Sequence, residues 1–123
     1  MPIPRKKPSF RLKSGQTLPQ ALAIAKELTR KGLFEIGDPD IINELAEFGY
    51  LGREEMIKGL LLALSEVTPH DYSAPAEPHK IPGIPFIWNS ACFKVRMYLK
   101  FKLVGPRPTL WWYSCHDALK KYE

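Results

Sequence analysis

The stretch from Ala91 to Leu103 reads ACFKVRMYLKFKL as one strand, with apolar and polar side chains alternating from Phe93 onward. Successive residues of a strand point to opposite sides of a sheet. Phe93, Val95, Met97, Leu99, Phe101 and Leu103 therefore share one face, and Lys94, Arg96, Tyr98, Lys100 and Lys102 share the other. One face can cover a core. The other is a row of four cations around one phenol, and like charges on one sheet face repel, so the row suits an anionic occupant. Val104-Gly105-Pro106-Arg107-Pro108 then reads as a turn, and Thr109 to His116, rich in β-branched and aromatic residues, as a second strand. The two form a long antiparallel hairpin. A pairing of Leu103 with Thr109 sets Tyr98 opposite Ser114 and brings His116 to the cationic face; a slip of one residue sends His116 to the other side.

Upstream, the period changes to that of helices. Thr17 can cap a helix from about Leu18 to Lys31, with Leu18, Leu22, Ala25 and Leu28 on one stripe, Pro19 tolerated in its first turn and Gly32 at its end. Asp38 before Pro39 starts a short second helix with Ile41, Ile42, Leu45 and Phe48 apolar, stopped by Gly49. A third runs from about Arg53 to Glu66 on Met56, Ile57, Leu60, Leu61 and Leu64. Val67 to Pro85, with five prolines, reads as a long loop, and Phe86-Ile87-Trp88 opens the sheet. The sequence thus predicts an α+β fold: N-terminal helices packed on an antiparallel sheet of three or more strands that ends in the long hairpin. Residues 1–16 form a basic, proline-bearing arm and residues 17–123 a single domain. Trp111 and Trp112 cannot both point inward from one strand, so one of them faces solvent, a helix, a partner or RNA.

Charge sharpens the picture. The net charge of +5 divides unevenly: residues 1–13 carry five bases and no acid, 14–78 carry 11 acids against 5 bases, and 79–123 carry 8 bases against 2 acids. A concentrated basic surface points to a polyanion. An anionic membrane fits poorly, because the cations alternate at strand period, and no apolar run reaches the roughly 18 residues of a spanning helix. Without an apolar signal segment behind the basic N-terminus, a cytoplasmic location is expected. Cys92 and Cys115 could meet across the hairpin, but two cysteines in such a protein are expected as free thiols. His70, His79 and His116 are scattered, and neither CxxC nor HExxH occurs, so no metal site and no cofactor is expected.

The order of elements, with the strand Val95-Arg96-Met97-Tyr98-Leu99-Lys100-Phe101 and the ending Tyr113-Ser114-Cys115-His116, resembles the MqsR-type mRNA interferases. These are toxins of bacterial toxin–antitoxin pairs within the wider RelE-like ribonucleases. Asp71-Tyr72 lies where that family has an aromatic pair before an active-site lysine; here Ser73 stands in place of the lysine, and His116 where some members have lysine. The likeness spans roughly residues 50–116 and rests on two short motifs. It implies a RelE-like fold and a metal-independent endoribonuclease, in which the ribose 2′-hydroxyl attacks the adjacent phosphorus. The partners it implies are mRNA, free or on the ribosome, and a cognate antitoxin. Such chemistry needs a base, an acid and cations around the phosphorane. Tyr98, His116, Lys100 and Arg96 are the candidate catalytic residues, and Lys80, His79, Lys94, Lys102 and Arg107 the candidate RNA-binding ones. Two other readings suit the same residues: an RNA- or DNA-binding protein without catalysis, and a protein-interaction module with a basic sheet face.

Overall fold

In a computed structural model, residues 11–12, 15–73 and 83–119 are described. Helices α1 (Leu18–Arg30), α2 (Asp40–Ala46) and α3 (Gly52–Glu66) precede strands β2 (Ile84–Asn89), β3 (Arg96–Val104) and β4 (Thr109–Asp117), and a two-residue strand β1 (Glu35–Ile36) lies between α1 and α2. The sheet order is β1-β4-β3-β2. β2, β3 and β4 are antiparallel neighbours, whereas β1 runs parallel to β4. The fold is a mixed α+β domain, and the sheet is mixed rather than wholly antiparallel as the sequence implied. A strand of two residues has no period of its own, and β1 exists because β4 offers it an edge.

The helices begin and end where the side chains dictate. Thr17 and Gln20 form a reciprocal capping box at the start of α1. Asp38 accepts the Asp40 N–H at 2.9 Å at the start of α2. α1 buries Leu18, Ala21, Leu22, Ala25 and Thr29, and α3 buries Met56, Gly59, Leu60, Ala63 and Leu64. These meet the odd-numbered face of β3, where Met97, Leu99 and Phe101 are fully buried. Phe101 stacks on Phe86 of β2 and meets Trp112 of β4 edge-to-face, with centroids 5.9 and 5.4 Å apart, so an aromatic row crosses three strands under the helices. The Trp112 Nε1–H donates to the buried Thr29 hydroxyl at 3.1 Å, tying β4 to α1. On the outer side of β4, past the reach of β1, Glu44 of α2 accepts the Cys115 N–H at 3.0 Å, closing an otherwise open edge.

Two expectations about the connections need correction. The alternating run does not form a strand from Ala91. Residues 91–95 are a turn, and β3 begins at Arg96. The carboxylate of Glu66, at the end of α3, accepts from Trp88 Nε1, Ser90 Oγ and the backbone N–H groups of Ala91 and Cys92, and so gathers the β2–β3 connection onto the helix. Phe93 is buried from within this turn, 5.0 Å from the Phe48 ring centroid. Second, the Val67–Pro85 stretch is not loop throughout: Pro69–Asp71 make a 3₁₀ turn capped reciprocally by Thr68 and Asp71, Tyr72 bridges to Phe86, and β2 starts at Ile84 with Pro85 inside it. Pro85 is tolerated because β2 is an edge strand whose ladder here needs no proline donor. As expected from the sequence, the cysteines are free thiols; Cys92 is exposed and Cys115 is buried. The N-terminal arm falls almost wholly outside the described residues.

Candidate functional site

The solvent-side face of the sheet is set by the register of β3 against β4. Val104 pairs with Thr109, Leu103 with Leu110, Lys102 with Trp111 and Phe101 with Trp112; then, past an irregularity, Lys100 pairs with Ser114, Leu99 with Cys115 and Tyr98 with His116. Tyr113 is the extra residue, a β-bulge. Its effect on the outer face is direct. Continued without the bulge, the first register would set His116 opposite Met97, inside the core. With it, Leu110, Trp112 and Cys115 all face inward, and His116 emerges beside Tyr98. The Tyr98–Ser114 pairing of the sequence reading is thus replaced by Tyr98–His116, and the cationic face does gain the histidine.

Tyr98 and His116 stack, with centroids 5.2 Å apart and planes inclined by 27°. His116 is only 4% exposed. Its Nδ1 lies 2.7 Å from the Asp117 carbonyl oxygen. A carbonyl can only accept, so Nδ1 carries the proton, and in the neutral ring the lone pair sits on Nε2. That Nε2 is buried and has no hydrogen-bond partner among the described residues. An unpartnered buried polar atom is costly in a native fold, by about 1–3 kcal/mol. It is the one feature of this face that packing does not account for.

Two cations of β3 flank the pair, and a third stands further along the strand. Arg96 is exposed and donates to Asn89 Oδ1 on β2 at 3.1 Å. Lys100 is half-buried; its Nζ lies 5.8 Å from the Tyr113 ring centroid, and its stem crosses Gly83 so closely that a Cβ there would sit 2.7 Å from Cγ. Tyr113 in turn lies on Gly37, where a Cβ would come within 2.6–2.9 Å of three ring atoms. Two glycines thus make room for a lysine and the ring beneath it. Lys102, half-buried, stands opposite Trp111.

Of the sequence-derived candidates, the fold brings Tyr98, His116, Lys100 and Arg96 together and sets Lys102 further along the same strand. Lys94 is not in the row. It is exposed in the turn before β3 with φ +64°, so the strand carries three of the expected four cations. Arg107 is exposed in the hairpin turn, at the far end of β3 from His116. His79 and Lys80 lie outside the described residues. The sequence reading missed Asn89 and gave Ser114 and Tyr113 no role at the site, since all three reach this face only through strand pairing and a bulge. Among the described residues no group of three or more His, Cys, Asp or Glu could hold a metal ion, and no helix is long and apolar enough to cross a membrane. The Asp71-Tyr72 pair has structural partners: Asp71 accepts from Thr68, and Tyr72 packs edge-on against Phe86, where burial raises its phenol above 10.0. Comparison with protein-family models, with curated proteins and with solved structures found no match to this chain.

Proposed function

We propose that the chain is an endoribonuclease of the metal-independent, RelE-like kind, acting on single-stranded mRNA and neutralised by an antitoxin that covers its basic face. The observation that supports it best is His116: nearly buried, stacked on Tyr98 amid cations, with its tautomer set by the Asp117 carbonyl and its Nε2 lone pair unpartnered. In this reading Nε2 takes the proton of a ribose 2′-hydroxyl, and O2′ forms a bond to the adjacent phosphorus. The P–O5′ bond breaks, and the leaving O5′ takes a proton from the Tyr98 hydroxyl. The products are a 2′,3′-cyclic phosphate and a free 5′-hydroxyl, and solvent returns the proton from His116 to Tyr98. Arg96 and Lys100 stabilise the charge that gathers on phosphorus in the transition state. RNA must uncover Nε2 to be cut, so the stacked pair opens as substrate seats.

The test separates catalysis from binding. Tyr98→Phe removes only the hydroxyl, and His116→Gln keeps size while removing proton transfer. Each is expected to lower cleavage by about 10²–10⁴-fold, with RNA affinity within a few-fold of wild type. EDTA should not inhibit the wild type, and the 3′ ends should be cyclic phosphates. Intact RNA after incubation with the purified protein, with and without ribosomes, together with harmless expression in cells, would overturn the reading. The coverage of Nε2 specifically favours a second reading, an RNA-binding protein without catalysis, in which His116 only supports the Tyr98 ring. That protein would bind RNA and leave it whole.

A further inference from the structure

The two adjacent tryptophans of β4 have opposite surroundings. Trp112 is fully buried and its Nε1–H is satisfied by Thr29. Trp111 points to the other face and is half-buried there, directly opposite Lys102 on β3 and Glu35 on β1. Its Nε1–H donates to the Thr109 hydroxyl at 3.3 Å, two residues away on the same face. The indole's one polar group is therefore occupied within the protein, and what remains to offer a partner is the ring.

We propose that Trp111 is a stacking subsite for one base of single-stranded RNA, with Lys102 holding the adjoining phosphate. The proposal rests on the RNA reading of this face. The occupant follows from the charge around the ring. Arg96, Lys100 and Lys102 form a line down β3, and its Lys100–Lys102 part leads from Tyr98 to Trp111. A polyanion laid on that line passes the indole on the Lys102 side, because Glu35 on the opposite flank repels phosphate. From Tyr98 to Lys102 is four residues of strand, or ~14 Å at about 3.4 Å per residue. This is several times the roughly 3.4 Å rise of stacked bases, so Trp111 engages a different nucleotide from the one at His116. Stacking on an indole is tolerant of base identity, so the subsite adds affinity and register along the strand.

The probes are non-cleavable, fully 2′-O-methylated single-stranded oligonucleotides: a short one that spans only the His116 end and a longer one that spans both sites. Trp111→Ala should weaken the longer oligonucleotide by about 5- to 150-fold and leave the short one unchanged. Trp111→Phe should retain most of the affinity. Wild-type tryptophan fluorescence should be quenched by the longer oligonucleotide, and Trp111→Phe should remove the quench, since Trp88 and Trp112 are buried. Glu35→Gln should tighten binding, and Lys102→Ala should loosen it and flatten its salt dependence. Equal affinity of wild type and a folded Trp111→Ala variant for the longer oligonucleotide, or an unquenched wild type that binds it, overturns the subsite while the RNA reading stands. Loss of binding to an acidic protein but not to RNA in the Trp111 variants also overturns it, assigning the ring to a protein partner. A wild type that neither binds nor cuts RNA is the different failure, that of the underlying reading, and removes the subsite with it.

Discussion

Thr29 and Gly37 show how single residues hold the cationic face in place. Thr29 is a polar residue with no exposure, and it is there because Trp112 needs an acceptor at that depth. Thr29→Val keeps the shape and leaves the indole N–H buried and unpaired. The expected loss is about 1–3 kcal/mol in urea denaturation, whereas Thr29→Ser, which keeps the acceptor, should lose less. Gly37→Ala forces the Tyr113 ring off its seat and is expected to destabilise by about 1–3 kcal/mol. By loosening the ring under Lys100, it should also slow the RNA cleavage proposed for this face. Neither role is written locally in the sequence. The helical stripe of α1 reads as Leu18, Leu22, Ala25 and Leu28, and three of these four are buried as read. Thr29 is polar, and its partner lies 83 residues away. The β3 face was legible residue by residue, because alternation of Met97, Leu99, Phe101 and Leu103 with Arg96, Tyr98, Lys100 and Lys102 is a local property of any strand.

Elements are misjudged where a distant side chain overrides that local period. Phe93, Lys94 and Val95 continue the alternation of β3, yet residues 91–95 form a turn because one carboxylate, Glu66, collects four donors from Trp88 to Cys92. Burial pushes Glu66 up, but the hydrogen bonds from Ser90, Trp88 and Cys92 outweigh it and bring the carboxyl from 4.5 down to about 2. A carboxyl lowered in the folded state adds stability above its unfolded value, and that stability is lost as pH falls from about 4.5 to about 2. Glu66→Gln should therefore be less stable than wild type at neutral pH by about 1–2 kcal/mol, allowing for solvent screening of a partly exposed group. The two stabilities should draw together as pH falls and meet below about pH 2; a gap undiminished between neutral pH and there would show packing, not charge, to be the cause. The bulge is equally silent in the sequence. Deleting Tyr113 joins Trp112 to Ser114 and leaves every other pair of the β3–β4 ladder intact. Tyr98 should then stay opposite His116, seen as ring-to-ring nuclear Overhauser effects, while Lys100 loses its aromatic seat.

At the scale of the whole molecule, the acids and bases separate. The described helical segment is rich in acid, and the sheet carries its cations in one line on the side away from the helices. This follows from packing as much as from any ligand, since β3 buries its apolar face on α1 and α3 and must turn the other face out. A solvated basic face and a phosphate track look alike in a static structure, and salt distinguishes them. Each lysine or arginine that neutralises a phosphate releases counterions, and log K for a single strand falls against log salt with a slope of about 0.7 per contact. Changing Arg96 and Lys100 to alanine together should therefore reduce that slope by about 1.4 if both touch phosphate. Both stand on a strand whose inward face is untouched, so the fold should hold, as circular dichroism would verify. A folded double variant with wild-type affinity and slope would remove this face from the RNA site. The same variant also tests the proposed neutralisation by an antitoxin. A partner that brings carboxylates onto Arg96 and Lys100 should bind the wild type more weakly as salt rises and the double variant more weakly at every salt. A partner seated on the helical half would be indifferent to both changes, and neutralisation would then work without covering Tyr98 and His116.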